Sequence, residues 1–204
     1  MAKRIDPADR RKQLVEAAFR VIVDRGSTGA RISDVAARAK VAPSLVTYYF
    51  PSRDDLVLEA TRHGVDRFFE QQSAFLARIE DPWERLEAAI TGAMPDNARD
   101  PDWIVLLEFW TTALRRGSLQ TVAALFQTRV RAQYAAIIES GAASGRFAPT
   151  APSEDIAASI IGMIDGLTLR VILNDPAIDP QGVARLVIGY ARLAVGVADR
   201  EGVP

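Results

Sequence analysis

The chain contains no cysteine and a single histidine, His63. A disulfide framework and a thiolate metal site are therefore excluded, and a histidine-based metal site lacks ligands. Lysine is scarce as well: the only three are Lys3, Lys12 and Lys40. No apolar run reaches the roughly 20 residues that a membrane-spanning helix needs. The start, Met1-Ala2-Lys3-Arg4, leads into charged residues rather than an apolar signal core. A cytoplasmic protein is expected. Strand-like alternation, internal repeats and low-complexity tracts are missing too. An enzyme needs an activated nucleophile, an acid–base pair, a metal site or a cofactor loop. None stands out here, so no catalytic residue, cofactor or metal is expected.

What is present is an ordinary globular composition over 204 residues, 49% hydrophobic and 25% charged, with a net charge of −1. That near-neutral total conceals a segregation. Residues 1–53 hold eleven Lys/Arg against five Asp/Glu, a net of +6, while the remainder carries −7. A basic head on an acidic body is the electrostatic footprint of a DNA-binding module joined to something else. For Lys3 and Arg4 two readings stand: an arm reaching the DNA backbone or minor groove, or a plain soluble tail.

The stretch Arg31–Phe50, RISDVAARAKVAPSLVTYYF, reads as two short helices around a tight turn. Ile32, Val35, Ala36 and Ala39 share one apolar helical face. Lys40 and Val41 fall at the turn, and Pro43 is tolerated in the first turn of the next helix. Leu45, Val46, Tyr49 and Phe50 give that second helix a buried side, which leaves Ser44, Thr47 and Tyr48 free to face a major groove. Upstream, Asp9 is the expected cap of a first helix running to Arg25, with Gly26 as its terminator and 27–30 as a loop. Downstream, Ser52 is the expected cap of a long helix from Arg53 to near Glu80, with Asp54 and Asp55 at its positive end.

This pattern resembles the N-terminal domain of tetracycline-repressor (TetR) family regulators over residues 10–56. Leu14, Ala17, Ala18, Ile22, Gly26, Val35, Ala36, Ala39, Val41, Tyr49-Phe50, Ser52-Arg53 and Leu56 carry the resemblance. Three positions depart from it. Lys40 stands in place of the usual turn glycine, Ala42 in place of the serine cap of the recognition helix, and Arg31 in place of a small hydroxyl residue. The resemblance implies a dimer that reads a palindromic operator in double-stranded DNA. Ser44, Thr47 and Tyr48 are then the first candidates for groove contacts, with Pro43 and Leu45 against a thymine methyl. Arg31, Ser33, Lys40, Tyr49 and Arg53 are the candidates for phosphate.

The body, 53–204, reads as six helices, which makes the chain all-α with about nine. After the long helix, spans are expected from Asp81-Pro82 to 92–94, over 103–116, from 119 to 143 with Ser118 as cap and Gly145 as terminator, and in two final helices. Region 101–195 resembles the C-terminal domain of the BetI-like branch of the same family. Trp103, Leu107, Phe109-Trp110, Ala113, Gly145-Arg146-Phe147 and Asp165-Gly166-Leu167-Thr168 carry that likeness. The resemblance implies a small-molecule effector. Trp103, Leu106, Leu107, Trp110, Phe126, Tyr134 and Met163 are candidates to line its pocket, with Glu108, Gln127, Arg131 and Asp165 to orient it. The resemblance implies a repressor whose operator binding is relieved by that effector, expected to be small and largely apolar or aromatic, with a cation caged by aromatics equally open. The apolar stripes of the last two helices, with Ile160, Ile164, Leu167, Val183, Leu186, Tyr190 and Leu193, suggest a homodimer face. His63 is expected as a partly buried structural residue. The competing reading is a helical interaction protein that binds no DNA, which would leave the basic head unexplained.

Overall fold

A computed structural model describes residues 6–115 and 117–197, with residues 101 and 102 described for their backbone alone. Lys3 and Arg4 lie outside the described residues. Those residues form nine α-helices: α1 (Pro7–Gly29), α2 (Ile32–Ala39), α3 (Pro43–Tyr49), α4 (Arg53–Leu76), α5 (Pro82–Thr91), α6 (Pro101–Ala113), α7 (Gly117–Ala143), α8 (Ser153–Ile172) and α9 (Pro180–Val195). The all-α expectation holds. The chain divides into two compact units, one comprising the chain through Gln71 together with Val105–Ala124, the other Gln72–Ile104 and the chain from Leu125.

In the first unit, α1 starts earlier than the sequence suggested. Asp6, not Asp9, is its cap: its carboxylate accepts from Ala8 N at 2.7 Å, and Pro7 occupies the first helical position. Gly26 breaks the helical path as expected, at φ 72° and ψ 162°, yet a further turn runs on to Gly29. Leu14, Ala18, Val21, Val35, Val46, Phe50, Leu56 and Ala60 close into one core that joins α1 to α4. Gly64 on α4 lets the Phe19 ring approach, since a Cβ there would meet that ring at 2.5 Å. Ser52 caps α4 reciprocally with Asp55: its hydroxyl accepts from Asp55 N at 3.1 Å and donates to Asp55 Oδ2 at 2.7 Å.

In the second unit, α4 ends at Leu76, four residues short of the expected Glu80. Its last carbonyls are taken up by the turn that follows, Arg78 N donating to Phe75 O at 3.2 Å and Ile79 N to Leu76 O at 3.1 Å, and Arg85 Nε holds that turn from α5 by donating to Ile79 O at 2.9 Å. Asp81 caps α5 through Trp83 N and Glu84 N, at 2.9 and 3.0 Å. Its second oxygen accepts from Arg146 Nε at 3.0 Å, an ion pair largely shielded from solvent. The Gly145-Arg146-Phe147 motif thereby acquires a physical meaning. Gly145 supplies a left-handed turn at φ 74°, Arg146 reaches the α5 cap, and Phe147 packs on Gly141, where a Cβ would lie 2.1 Å from the ring. α8 packs on α9, and α5 on α9.

Candidate DNA-binding face and effector site

The geometry of the head begins with its turn. Lys40 ends α2 in the left-handed region, φ 56° and ψ 47°. Its N–H donates to Ala37 O at 3.2 Å and that of Val41 to Ala36 O at 3.0 Å, which closes a Schellman-type stop without glycine. Neither Arg31 nor Ala42 makes a side-chain cap bond, so α2 and α3 both start uncapped. α3 is held from beneath by buried Val46 and Phe50, with half-buried Leu45 and Tyr49 at its edges. Pro43, Ser44, Thr47 and Tyr48 face solvent. Tyr48 is 79% exposed and stands edge-on to Tyr49, with centroids 5.3 Å apart. Thr47 Oγ1 donates back to Ser44 O at 3.1 Å.

The candidate phosphate contacts separate into two groups. Arg31, Ser33 and Lys40 are exposed. Arg53 is turned inward, with Nε on Ala30 O at 2.7 Å and one terminal nitrogen on Thr28 O at 2.9 Å. Behind the head, α1 and α4 are joined by a clasp centred on Glu16. Its carboxylate lies 2.8 Å from His63 Nε2 and accepts from Arg67 at 2.9 Å and Arg20 Nε at 2.8 Å. The His63 bond, then Arg67 and Arg20, outweigh partial burial and hold the Glu16 carboxyl down at about 2. His63 is half-buried, as expected, with its ring edge-on to Phe19. No local signal in the sequence marks this clasp, because His63 and Arg67 meet Glu16 from a helix about fifty residues away.

The candidate pocket residues do not all play one part. Trp103 and Tyr134 are buried and committed to the second unit's core. The Tyr134 hydroxyl donates to Ala89 O within α5 at 2.9 Å, and the Trp103 indole to Ala93 O in the turn just past its end at 3.1 Å. Burial, and then the Asp165 charge, push the Tyr134 hydroxyl above its ordinary range. Leu106, Leu107, Trp110, Phe126 and Met163 are half-buried. Leu106, Leu107 and Trp110 fall in the first unit, Phe126 and Met163 in the second. Glu108 is exposed and lies against Gly26, where a Cβ would meet its Oε2 at 2.7 Å. Gln127 is half-buried, and Arg131 pairs with Glu154 at 2.9 Å. Asp165 is half-buried and pushed up to about 6 by desolvation.

The chain matches the family model for bacterial regulatory proteins of the tetR family over residues 14–60. It matches the model for the C-terminal part of BetI-type transcriptional repressors over residues 82–193, more than half its length. The chain belongs to the TetR family. It is a helix-turn-helix transcriptional regulator. It is 28% identical over 182 residues to the HTH-type transcriptional regulator BetI of Rhizobium meliloti, covering 89% of this chain and 87% of that protein. A transcriptional regulator from Saccharomonospora viridis, solved in complex with choline, superposes with a TM-score of 0.74 at 25% identity, over 95% of this chain and all of that one. A regulator from Rhodococcus sp. Rha1 gives 0.69 at 26% identity, over 95% and 99%.

The face expected to pair this TetR regulator with a second copy needs correction. Ile160, Ile164 and Val183 are buried within the chain's own α8–α9 core and take no part in its surface. The amphipathic stripe that suggested them is the stripe that holds the two helices together. Leu167 and Tyr190 are half-buried. The large apolar side chains these helices leave in solvent are Leu169 and Leu173 at the end of α8, the latter 70% exposed, and Leu186 and Leu193 on α9, at 53% and 78%. Gly162, Gly166 and Gly189 open onto free space. Tyr190 and Leu193 also line a groove of about 430 Å³ with Thr150, Asp155 and Ser159.

Proposed function

We propose that this regulator is a dimeric repressor that acts in the cytoplasm, binds a palindromic operator through α3, and is released by a small cationic effector. The observation that carries the DNA reading is the solvent-facing set Ser44, Thr47 and Tyr48 on a helix anchored by Val46 and Phe50. Exposed Arg31 and Lys40 flank it and supply phosphate contacts, which position the head without reading sequence. Dimerisation uses the exposed leucines of α8 and α9, since large apolar side chains left in water mark an interaction surface. The open glycines let a second pair of helices approach closely. Two recognition helices then sit one helical turn of DNA apart, ~34–36 Å.

For the effector, the specific observation is Asp165. A half-buried carboxylate with a raised pKa gains most from a permanent cation. The choline bound by the Saccharomonospora viridis relative is such a cation. Ligand binding then favours a state in which the two heads no longer match successive grooves, with a coupling of roughly 1–3 kcal/mol, or about 5- to 150-fold in operator affinity. The test is fluorescence anisotropy of a random-sequence duplex against rising salt, repeated with choline, alongside a thermal shift. Steep loss of affinity with salt and stabilisation by choline are expected. Affinity that is flat with salt would overturn the DNA reading. Stabilisation by a neutral aromatic compound but not by choline would overturn the cationic effector.

A further inference from the structure

At the first residue of α4, Arg53 has each guanidinium nitrogen engaged within the chain. Nε donates to Ala30 O at 2.7 Å, one terminal nitrogen donates to Ser27 O at 2.5 Å and Thr28 O at 2.9 Å, and the other lies 3.5 Å from Asp54 Oδ1. The three carbonyls are those left over where α1 ends beyond the Gly26 kink. That last turn contains no basic residue of its own. A cation at a helix C-terminus also opposes the negative end of the helix dipole. Arg53 is thus a graft that supplies from α4 what α1 lacks.

The position of this graft matters for recognition. Ala30 is buried and leads directly into α2, which carries α3 on the Lys40 turn. Tying residues 27–30 to the start of α4 therefore fixes where α2 begins. Through the shared core of Val35, Val46 and Phe50, it fixes the tilt at which α3 is presented. We infer that Arg53 is a positioning residue for the recognition helix rather than a phosphate contact, acting by clamping the α1–α2 link to α4. This inference rests on the reading of the head as a DNA-binding unit. It assigns the electrostatic contacts instead to the exposed cations Arg31 and Lys40.

The two roles make opposite predictions for a conservative change. A lysine keeps the charge that a phosphate needs, but its single ammonium cannot reproduce a planar fork spread over several carbonyls. The experiment measures binding of a random-sequence duplex as a function of salt for the wild type, Arg53→Lys and Arg53→Gln. The full chain is used, with folding checked by circular dichroism. Both variants are expected to bind about tenfold more weakly, as befits loss of hydrogen bonds from a charged donor. Their salt slopes should equal that of the wild type, and the amide resonances of residues 44–49 should shift in Arg53→Lys. Wild-type affinity in Arg53→Lys, with a slope reduced by about 0.9 in Arg53→Gln, would overturn the inference.

A variant-free arm uses 15N-labelled wild type. The Arg53 Nε–H should exchange slowly in the free protein and stay in place when duplex is added. Rapid exchange in the free protein, with protection only on DNA, would overturn the clamp. A wild type that binds no duplex would refute the DNA reading alone, and the Nε–H exchange would still decide whether the clamp exists.

Discussion

Lys40 allows stability and DNA contact to be separated at one position. It holds φ 56° and ψ 47°, a conformation that costs an L-residue roughly 1–2 kcal/mol. Glycine removes that cost but loses about 0.5–1 kcal/mol more chain entropy on folding. The net expectation for Lys40→Gly is about 0.5–1 kcal/mol of added stability, or roughly 1–4 °C in Tm for a chain of this size. Its ammonium is exposed at the turn just before α3, where a duplex backbone would pass. Losing it should therefore lower the salt slope of duplex binding by about 0.9. Lys40→Gln serves as the partner variant, keeping the strain while removing the charge. It should share the reduced slope, with stability unchanged within about 0.5 kcal/mol. Differential scanning calorimetry and salt-dependent anisotropy read the two effects. A Lys40→Gly variant that melts below the wild type would refute the strain argument. A slope unchanged in both variants would refute the phosphate contact.

Other consequences follow from the same geometry. Gly141→Ala would drive a methyl group into the Phe147 ring, 2.1 Å away, and should cost about 1–3 kcal/mol by overpacking, measured by thermal or urea unfolding. Tyr48→Ala should leave Tm unchanged, because the side chain is 79% exposed. It should nonetheless weaken binding to a selected operator by roughly 1–3 kcal/mol if the ring reads base edges. Glu16, held at about 2 in the fold against an ordinary 4.5, stabilises the head above its unfolded pKa. That contribution is lost as pH falls from about 5 through 2, so Glu16→Gln should be less stable at neutral pH and flatter across that acid range. Asp165 has the opposite sign, its folded pKa being raised to about 6. Stability therefore falls as pH rises between about 4 and 6, and Asp165→Asn should melt higher at pH 7 while losing its response to choline.

The recognition motif was legible because its signals are local. Apolar spacing placed Val35, Ala36, Val46 and Phe50 inside, and the same spacing left Ser44, Thr47 and Tyr48 outside. The left-handed turn at Lys40 was legible from its position alone, against the residue's own preference. Helix starts were less so. Asp9 and Asp6 are equally good caps by type, and only the bond from Ala8 N to Asp6 separates them. Ser118 is likewise a good cap by type, yet α7 already begins at Gly117. Long-range polar pairing was not legible at all. Nothing local ties Arg53 to residues 27–30, or Arg146 to Asp81, because such pairs depend on where separate helices are brought together. In α8 and α9 the apolar stripe was correctly seen, but periodicity cannot distinguish the side facing a neighbouring helix from the side facing a second copy. Ile160, Ile164 and Val183 took the first, while Leu186 and Leu193 stay exposed.

The most direct test of sequence-specific recognition by α3 is selection of bound duplexes from a random pool with the purified chain, followed by sequencing. A palindromic consensus, with half-sites spaced by about one helical turn or a multiple of it, is the expected result. Its half-site would change in variants of Ser44, Thr47 or Tyr48 and not in those of Arg31 or Lys40. Failure to enrich any sequence with a folded, dimeric, effector-free protein would contradict the assignment.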